Sequence, residues 1–256
     1  MLKVAGALHY AKLVAITEGV DLYNNLDGMK DRLTEMGYTY LHTIHGSQLA
    51  SNWYHNLGPE TMFGFVAQEP EGNYIVALRC TETKLEALHD VAFLPIPCSI
   101  KGAGLTLVSA GFQAVYRSLR IIESSTEATP LYSYLNKVIA SPRVGITLAG
   151  HSLGGPLATL LALDLALNTA LSVPTVYTYG SPRTGGPLFA RLYNKHIDES
   201  HRIVERWDIV QAVPLFPAYY HVNEKEVIKG KWSLNPLEHH HLSTYIEILE
   251  KMNANL

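Results

Sequence analysis

The chain has 256 residues, 47% hydrophobic and 17% charged, with a formal net charge of −3. That length and apolar content suit one domain over residues 1–256, able to fold without disulfides or a metal. No Lys/Arg run gives the electrostatic footprint of a nucleic-acid binder, and no apolar run is long enough for a transmembrane segment.

In chain order, residues 1–20 are apolar but interrupted by His9, Lys12 and Glu18. They carry no long apolar core of a signal peptide and read as an amphipathic helix packed on the core. A leader removed earlier would be compatible with this start, so secretion and a cytoplasmic location both stay open. "MFGFVAQ" (62–68) and "YIVALRC" (74–80), joined by "EPEGN", read as a β-hairpin. Cys80 and Cys98 are too few for a disulfide framework; they read as small buried thiols, with a single bridge between them as the alternative.

"VGITLAG" (144–150) is a short apolar strand, and "PLATLLALDLALNTA" (156–170) a helix apolar nearly all round, with Pro156 in its first turn. A strand follows at 175–180, a turn at 181–187, a helix near 187–195 and a strand at 201–207. A proline-rich loop and a terminal helix complete the chain. "LEHHH" (237–241) resembles a vector tag, yet the helical pattern after it makes these histidines internal. Strands alternating with helices predict an α/β fold with a mostly parallel sheet.

Between the 144–150 strand and its helix stands Gly150-His151-Ser152-Leu153-Gly154, a G-x-S-x-G pattern. On such a strand-to-helix turn the flanking glycines admit a sharp bend that lifts Ser152 to the carboxyl edge of the sheet. The Leu153 N–H, at the helix start, faces the same point and can bind a developing oxyanion. A serine nucleophile needs a base and an acid, in the order Ser…Asp/Glu…His. Asp164 lies inside a buried helix, whereas Asp208 ends an apolar strand, where α/β sites are built. The base is then His221 or one of His239, His240 and His241. Adjacent histidines point different ways and lack Asp or Cys partners at ligand spacing, so no metal and no cofactor are expected.

Six segments in register resemble the class 3 lipases, a fungal-lipase-like branch of the α/β-hydrolases. "YIVALRCTE" resembles the strand ending F-R-G-T/S, and "VSAGFQAVYRSL" (108–119) the V-H-x-G-F-x-x-A-Y helix. "ITLAGHSLGGPLATLLALDL" is similar to the elbow and its helix, and "YTYGSPRTGG" to F-G-S-P-R-V-G. "RIVERWDIVQAVP" matches the acid segment and "HHLSTYI" the base segment H-S-x-x-x-Y. The likeness runs from about residue 62 to the C-terminus. It departs at Cys80, where the family has Gly, and at Ser109, where it has His.

The resemblance implies an α/β-hydrolase fold, with helices on both faces of a central sheet. Ser152 matches the nucleophile, Asp208 the acid and His240 the base; a shorter spacing in some fungal members would select His241 instead. Thr81 matches the second oxyanion donor, beside Leu153. Residues 82–90, with Leu85 and Leu88 on one side, match a lid or form an ordinary surface helix. Val213, Leu215 and Phe216 are candidates for acyl-chain contacts. The implied activity is hydrolysis of an ester or lipid, foremost triacylglycerol, at a lipid–water interface. Carboxylesterase action on short or aromatic esters, phospholipase A1 action and acyl transfer are alternatives. A non-catalytic lipid-binding protein on a hydrolase scaffold is the rival from another class.

Overall fold

A computed structural model describes residues 2–18, 26–49, 57–79, 93–124, 127–139, 141–215 and 217–255. Helices α1 (Val4–Glu18) and α2 (Leu26–Glu35) precede strands β1 (Thr39–Leu49), β2 (Leu57–Gln68) and β3 (Tyr74–Leu78). A ribbon of β4 (Pro95–Pro97) and β5 (Leu107–Ser109) leads into α3 (Ala110–Ser118), β6 (Arg120–Ser124), β7 (Glu127–Pro130) and α4 (Leu131–Val138). Then come β8 (Ile146–His151), α5 (Gly154–Asn168), β9 (Thr175–Tyr179), α6 (Pro187–His196), β10 (Ser200–Glu205), β11 (Lys225–Ile228) and α7 (Leu242–Asn253).

Nine strands share one sheet in the order β11-β10-β9-β8-β3-β2-β1-β6-β7. From β3 to β11 every neighbouring pair is parallel; from β3 to β7 every pair is antiparallel. Connection length explains the division. A short turn joins β2 to β3 with Gln68 opposite Tyr74, whereas β8 reaches β9 only through α5, and β9 reaches β10 through α6.

The strand period of two sends alternate side chains into two cores. Val76, Leu78, Leu148 and Val176 join the layer filled by α3, α4, α5 and α6. Ile75, Ala77, Ala149 and Tyr177 join the opposite layer with α1, α2 and α7. Helix α5 is buried without a break from Gly154 to Leu163, as its all-round apolar sequence requires. Helix α1 departs from the one-faced pattern expected of it. Only Ala5 and Lys12 are exposed along its length, because it fills the space between the sheet, α2 and α7.

Cys98 is a free, half-buried thiol; Cys80 and the 82–90 segment lie outside the described residues. Among the described residues, no helix is long and apolar enough to cross a membrane.

One glycine holds β2 against β3. Gly64 has φ +151°, and a Cβ there would collide with the Ala77 carbonyl oxygen. Gly64→Ala is therefore expected to destabilise the protein by about 2 kcal/mol or more, read as a lower urea midpoint. An unchanged midpoint would mean that the two strands separate there at no cost.

Candidate active site

The parallel strands end on one edge, and β8 delivers Ser152 there. Ser152 has φ +53°, a left-handed conformation that costs a non-glycine residue about 1–2 kcal/mol. Three glycines make the turn possible by admitting backbone contact. A Cβ on Gly150 would strike the Gly154 carbonyl, one on Gly154 the Leu78 carbonyl, and one on Gly155 the Ser181 side chain. Two hydrogen bonds close the bend, from Ser152 N–H to Tyr179 O at 3.0 Å and from Gly155 N–H to Ser152 O at 3.0 Å. Leu153, in αR conformation, caps α5. Its N–H stands at the positive end of the helix.

Across the edge, the Ser152 Oγ lies 2.8 Å from His240 Nε2, and His240 Nδ1 lies 2.8 Å from Asp208 Oδ2. All three residues are buried, so water competes weakly for these bonds. Asp208 follows β10 and is held by two further donors. Val210 N–H reaches its Oδ1 at 2.8 Å and the Tyr245 hydroxyl its Oδ2 at 2.6 Å. A carboxylate with these partners accepts the Nδ1–H of His240, which leaves the Nε2 lone pair facing the serine. Burial, followed by the charge of His151, pushes His240 below the ordinary histidine value, and the hydrogen bond to Asp208 opposes the shift. Burial pushes the Tyr245 phenol well up, and Asp208 adds to this, so the hydroxyl stays a donor.

Gly180, at φ +56°, lies against Asp208 and His240. A Cβ there would come 2.5 Å from Asp208 Oδ2 and 2.9 Å from His240 Nδ1. The loop carrying His240 is fastened by the neighbouring histidine. His239 Nδ1 lies 3.2 Å from Oε2 of the fully buried Glu205. Glu205 also accepts from Trp207 N–H at 2.6 Å and Gly230 N–H at 3.1 Å. One carboxylate thus ties together the ends of β10 and β11 and the histidine loop.

The other sequence candidates separate cleanly. His241 is exposed, with its carbonyl accepting the Thr244 N–H at 2.9 Å. His221 is pushed down to about 3 by burial and by the guanidinium groups of Arg202 and Arg183, a poor setting for a base. Asp164 is engaged by the Tyr116 hydroxyl at 2.5 Å and by Asn168 at 2.8 Å within the α3–α5 packing. Val213 packs against the core layer of α3 to α6, whereas Leu215 is 79% exposed. Thr81, Leu85, Leu88 and Phe216 lie outside the described residues. Three residues at the site carry no role in the sequence argument. Tyr245 is present there only as a spacing landmark, and neither His151 nor Glu18 is assigned any chemistry.

The sequence profile of the family "Lipase (class 3)" matches residues 75–218. A chloroplastic phospholipase A(1) of Arabidopsis thaliana, DAD1, is 32% identical over 55% of this chain and 33% of its own length. A secreted mono- and diacylglycerol lipase of Malassezia globosa, MDL3, is 29% identical over 52% of this chain and 43% of its own. The chain thus spans less than half the length of these two curated relatives. Among solved structures, Rhizomucor miehei lipase in its propeptide complex superposes with a TM-score of 0.66 at 24% identity. That match covers 88% of this chain and 68% of the other, and gives the α/β-hydrolase fold.

The Tyr245 hydroxyl is a donor to a buried carboxylate, so removing it leaves an acceptor short of a partner. Tyr245→Phe is expected to cost about 1–3 kcal/mol of stability, measured by denaturant unfolding. A midpoint equal to that of the unsubstituted protein would show that this hydroxyl does not hold Asp208.

Proposed function

We propose, from the premise that this chain belongs to the class 3 lipase family, that it is a serine carboxylic-ester hydrolase acting on acylglycerols, foremost triacylglycerol. The observation that carries the reading is the unbroken line Ser152–His240–Asp208, with both links at 2.8 Å and Ser152 on a left-handed turn.

In this mechanism His240 Nε2 takes the Ser152 proton as Oγ attacks the ester carbonyl. Asp208 keeps the imidazole in the correct tautomer and stabilises its charged form. The Leu153 N–H meets the tetrahedral oxyanion, and Thr81 is the proposed second donor, each worth about 3 kcal/mol in comparable sites. Support for Thr81 comes from the chain just before it: the Leu78 and Arg79 carbonyls lie against Gly154, at the elbow. The imidazolium then protonates the departing alcohol. Water then gives a proton to the same nitrogen and attacks the acyl carbonyl; as the acyl C–Oγ bond breaks, that proton returns to Ser152 Oγ and the carboxylic acid leaves.

Phospholipase A1 action is the second reading, favoured by the match to the Arabidopsis thaliana enzyme. Both readings share every step at Ser152 and differ only in the alcohol that leaves.

Ser152→Ala is expected to lower turnover of a p-nitrophenyl ester by about 10⁴-fold or more while leaving the fold intact. It should also abolish fluorophosphonate labelling, and retained turnover would overturn the reading. A preference for long over short acyl chains is expected; activity confined to short chains would make the protein a carboxylesterase. Release of the sn-1 acyl chain from phosphatidylcholine would select phospholipase A1.

His240 must be neutral to act as base, and burial lowers its pKa. The acid limb of kcat/KM is therefore expected to have its midpoint below pH 6.5, the ordinary histidine value. A midpoint above 6.5 would show that Asp208 outweighs burial.

A further inference from the structure

The residue before Ser152 is buried beside His240. His151 is 5% exposed, and both of its ring nitrogens meet oxygen acceptors. Nε2 lies 2.7 Å from the His240 carbonyl oxygen and Nδ1 lies 2.5 Å from Glu18 Oε1. A carbonyl oxygen only accepts, so Nε2 carries a hydrogen. The ring also lies against that of His240, with centroids 4.8 Å apart. Glu18 is the last residue of α1, which precedes the segment matched by the family profile.

We propose that Glu18 and His151 form a positioning pair for the base, with His151 held as an imidazolium that clamps the His240 backbone and sets the basicity of the His240 ring. This rests on the reading of His240 as the base. The clamp acts on the main chain of the same residue whose side chain bridges Ser152 and Asp208, so it fixes where that bridge begins. The charge acts because the imidazolium is the nearer member of the pair, with Glu18 beyond it.

Burial works against charge on both partners, yet their mutual attraction and short hydrogen bond prevail. His151 is held above the ordinary histidine value and Glu18 below the ordinary carboxylate value. The other groups facing the pair are Asp208 beyond His240, the Tyr245 phenol from α7 at 6.2 Å between ring centroids, and Arg79 at the end of β3, which favours the Glu18 carboxylate. Without Glu18, burial governs His151 and neutralises it, and the near positive charge beside His240 disappears. Protonation of His240 then becomes easier, so the acid limb of kcat/KM moves to higher pH. Removing His151 itself leaves Glu18 negative and moves the limb further the same way.

The test has two readouts. In histidine ring ¹⁵N NMR of the full chain at pH 7.5, His151 is expected to carry protons on both nitrogens, and on only one in Glu18→Gln. A singly protonated His151 in the unsubstituted protein overturns the proposal, whatever the enzymatic activity. In kcat/KM profiles on a soluble ester, Glu18→Gln is expected to raise the midpoint of the acid limb by about half a unit and His151→Gln by more. Glu18→Asp, which keeps the carboxylate, should restore it. Lower turnover with an unmoved limb would reduce the pair to a structural contact and overturn the electrostatic role. Ser152→Ala separates the two failures: turnover retained in that variant defeats the hydrolase reading and leaves the NMR result standing.

Discussion

The site depends on how closely the start of α5 can approach the ends of β3 and β8. Backbone meets backbone there, with Gly150 against the Gly154 carbonyl and Gly154 against that of Leu78. No side chain fits at either position. The turn therefore closes within a few residues and forces Ser152 into the left-handed region at φ +53°. That strain, about 1–2 kcal/mol, is borne by a helix buried along most of its length. The same approach sets the start of α5, the positive end of a helix, directly after Ser152.

Asp208 and His240 are held by partners of their own. Asp208 receives hydrogen bonds from Val210, Tyr245 and His240, and Gly180 leaves room for the pair to rest on the turn after β9. Glu205 and His239 repeat an acid–histidine contact one residue before the one that faces Ser152, and there it serves to gather loops. Two adjacent histidines thus have different tasks because each meets a different carboxylate. Helix α1 completes the arrangement by bringing Glu18 to His151, whose ring lies against that of His240.

Much of the fold is legible in the pattern of residues. The β2–β3 hairpin, β8, the fully apolar α5 and the strand–helix order up to β10 follow from periodicity and turn residues. The division of the sheet into a parallel and an antiparallel half is less legible, because β1, β6 and β7 lack a strong local signature. The enclosure of α1 is also hidden, since Ala and Tyr positions read as a partial face until two further helices are known to flank it. At the site, Ser152 and Asp208 are singled out as candidates by the chain alone, one by its glycines and the other by its place at the end of a strand.

The histidine that meets Asp208 marks the limit of that reading. Four histidines follow Asp208, and only family spacing favours His240 over His241. Their difference is physical: His240 turns inward to Asp208 and Ser152, whereas His241 begins α7 with its ring exposed. The sequence by itself determined the elbow, because a backbone contact that admits only glycine must be written as glycine. Only the tertiary structure decided which histidine meets Asp208 and that Glu18, 133 residues before His151, lies beside it. Such contacts depend on which way a loop turns its side chains, and no local pattern records that direction.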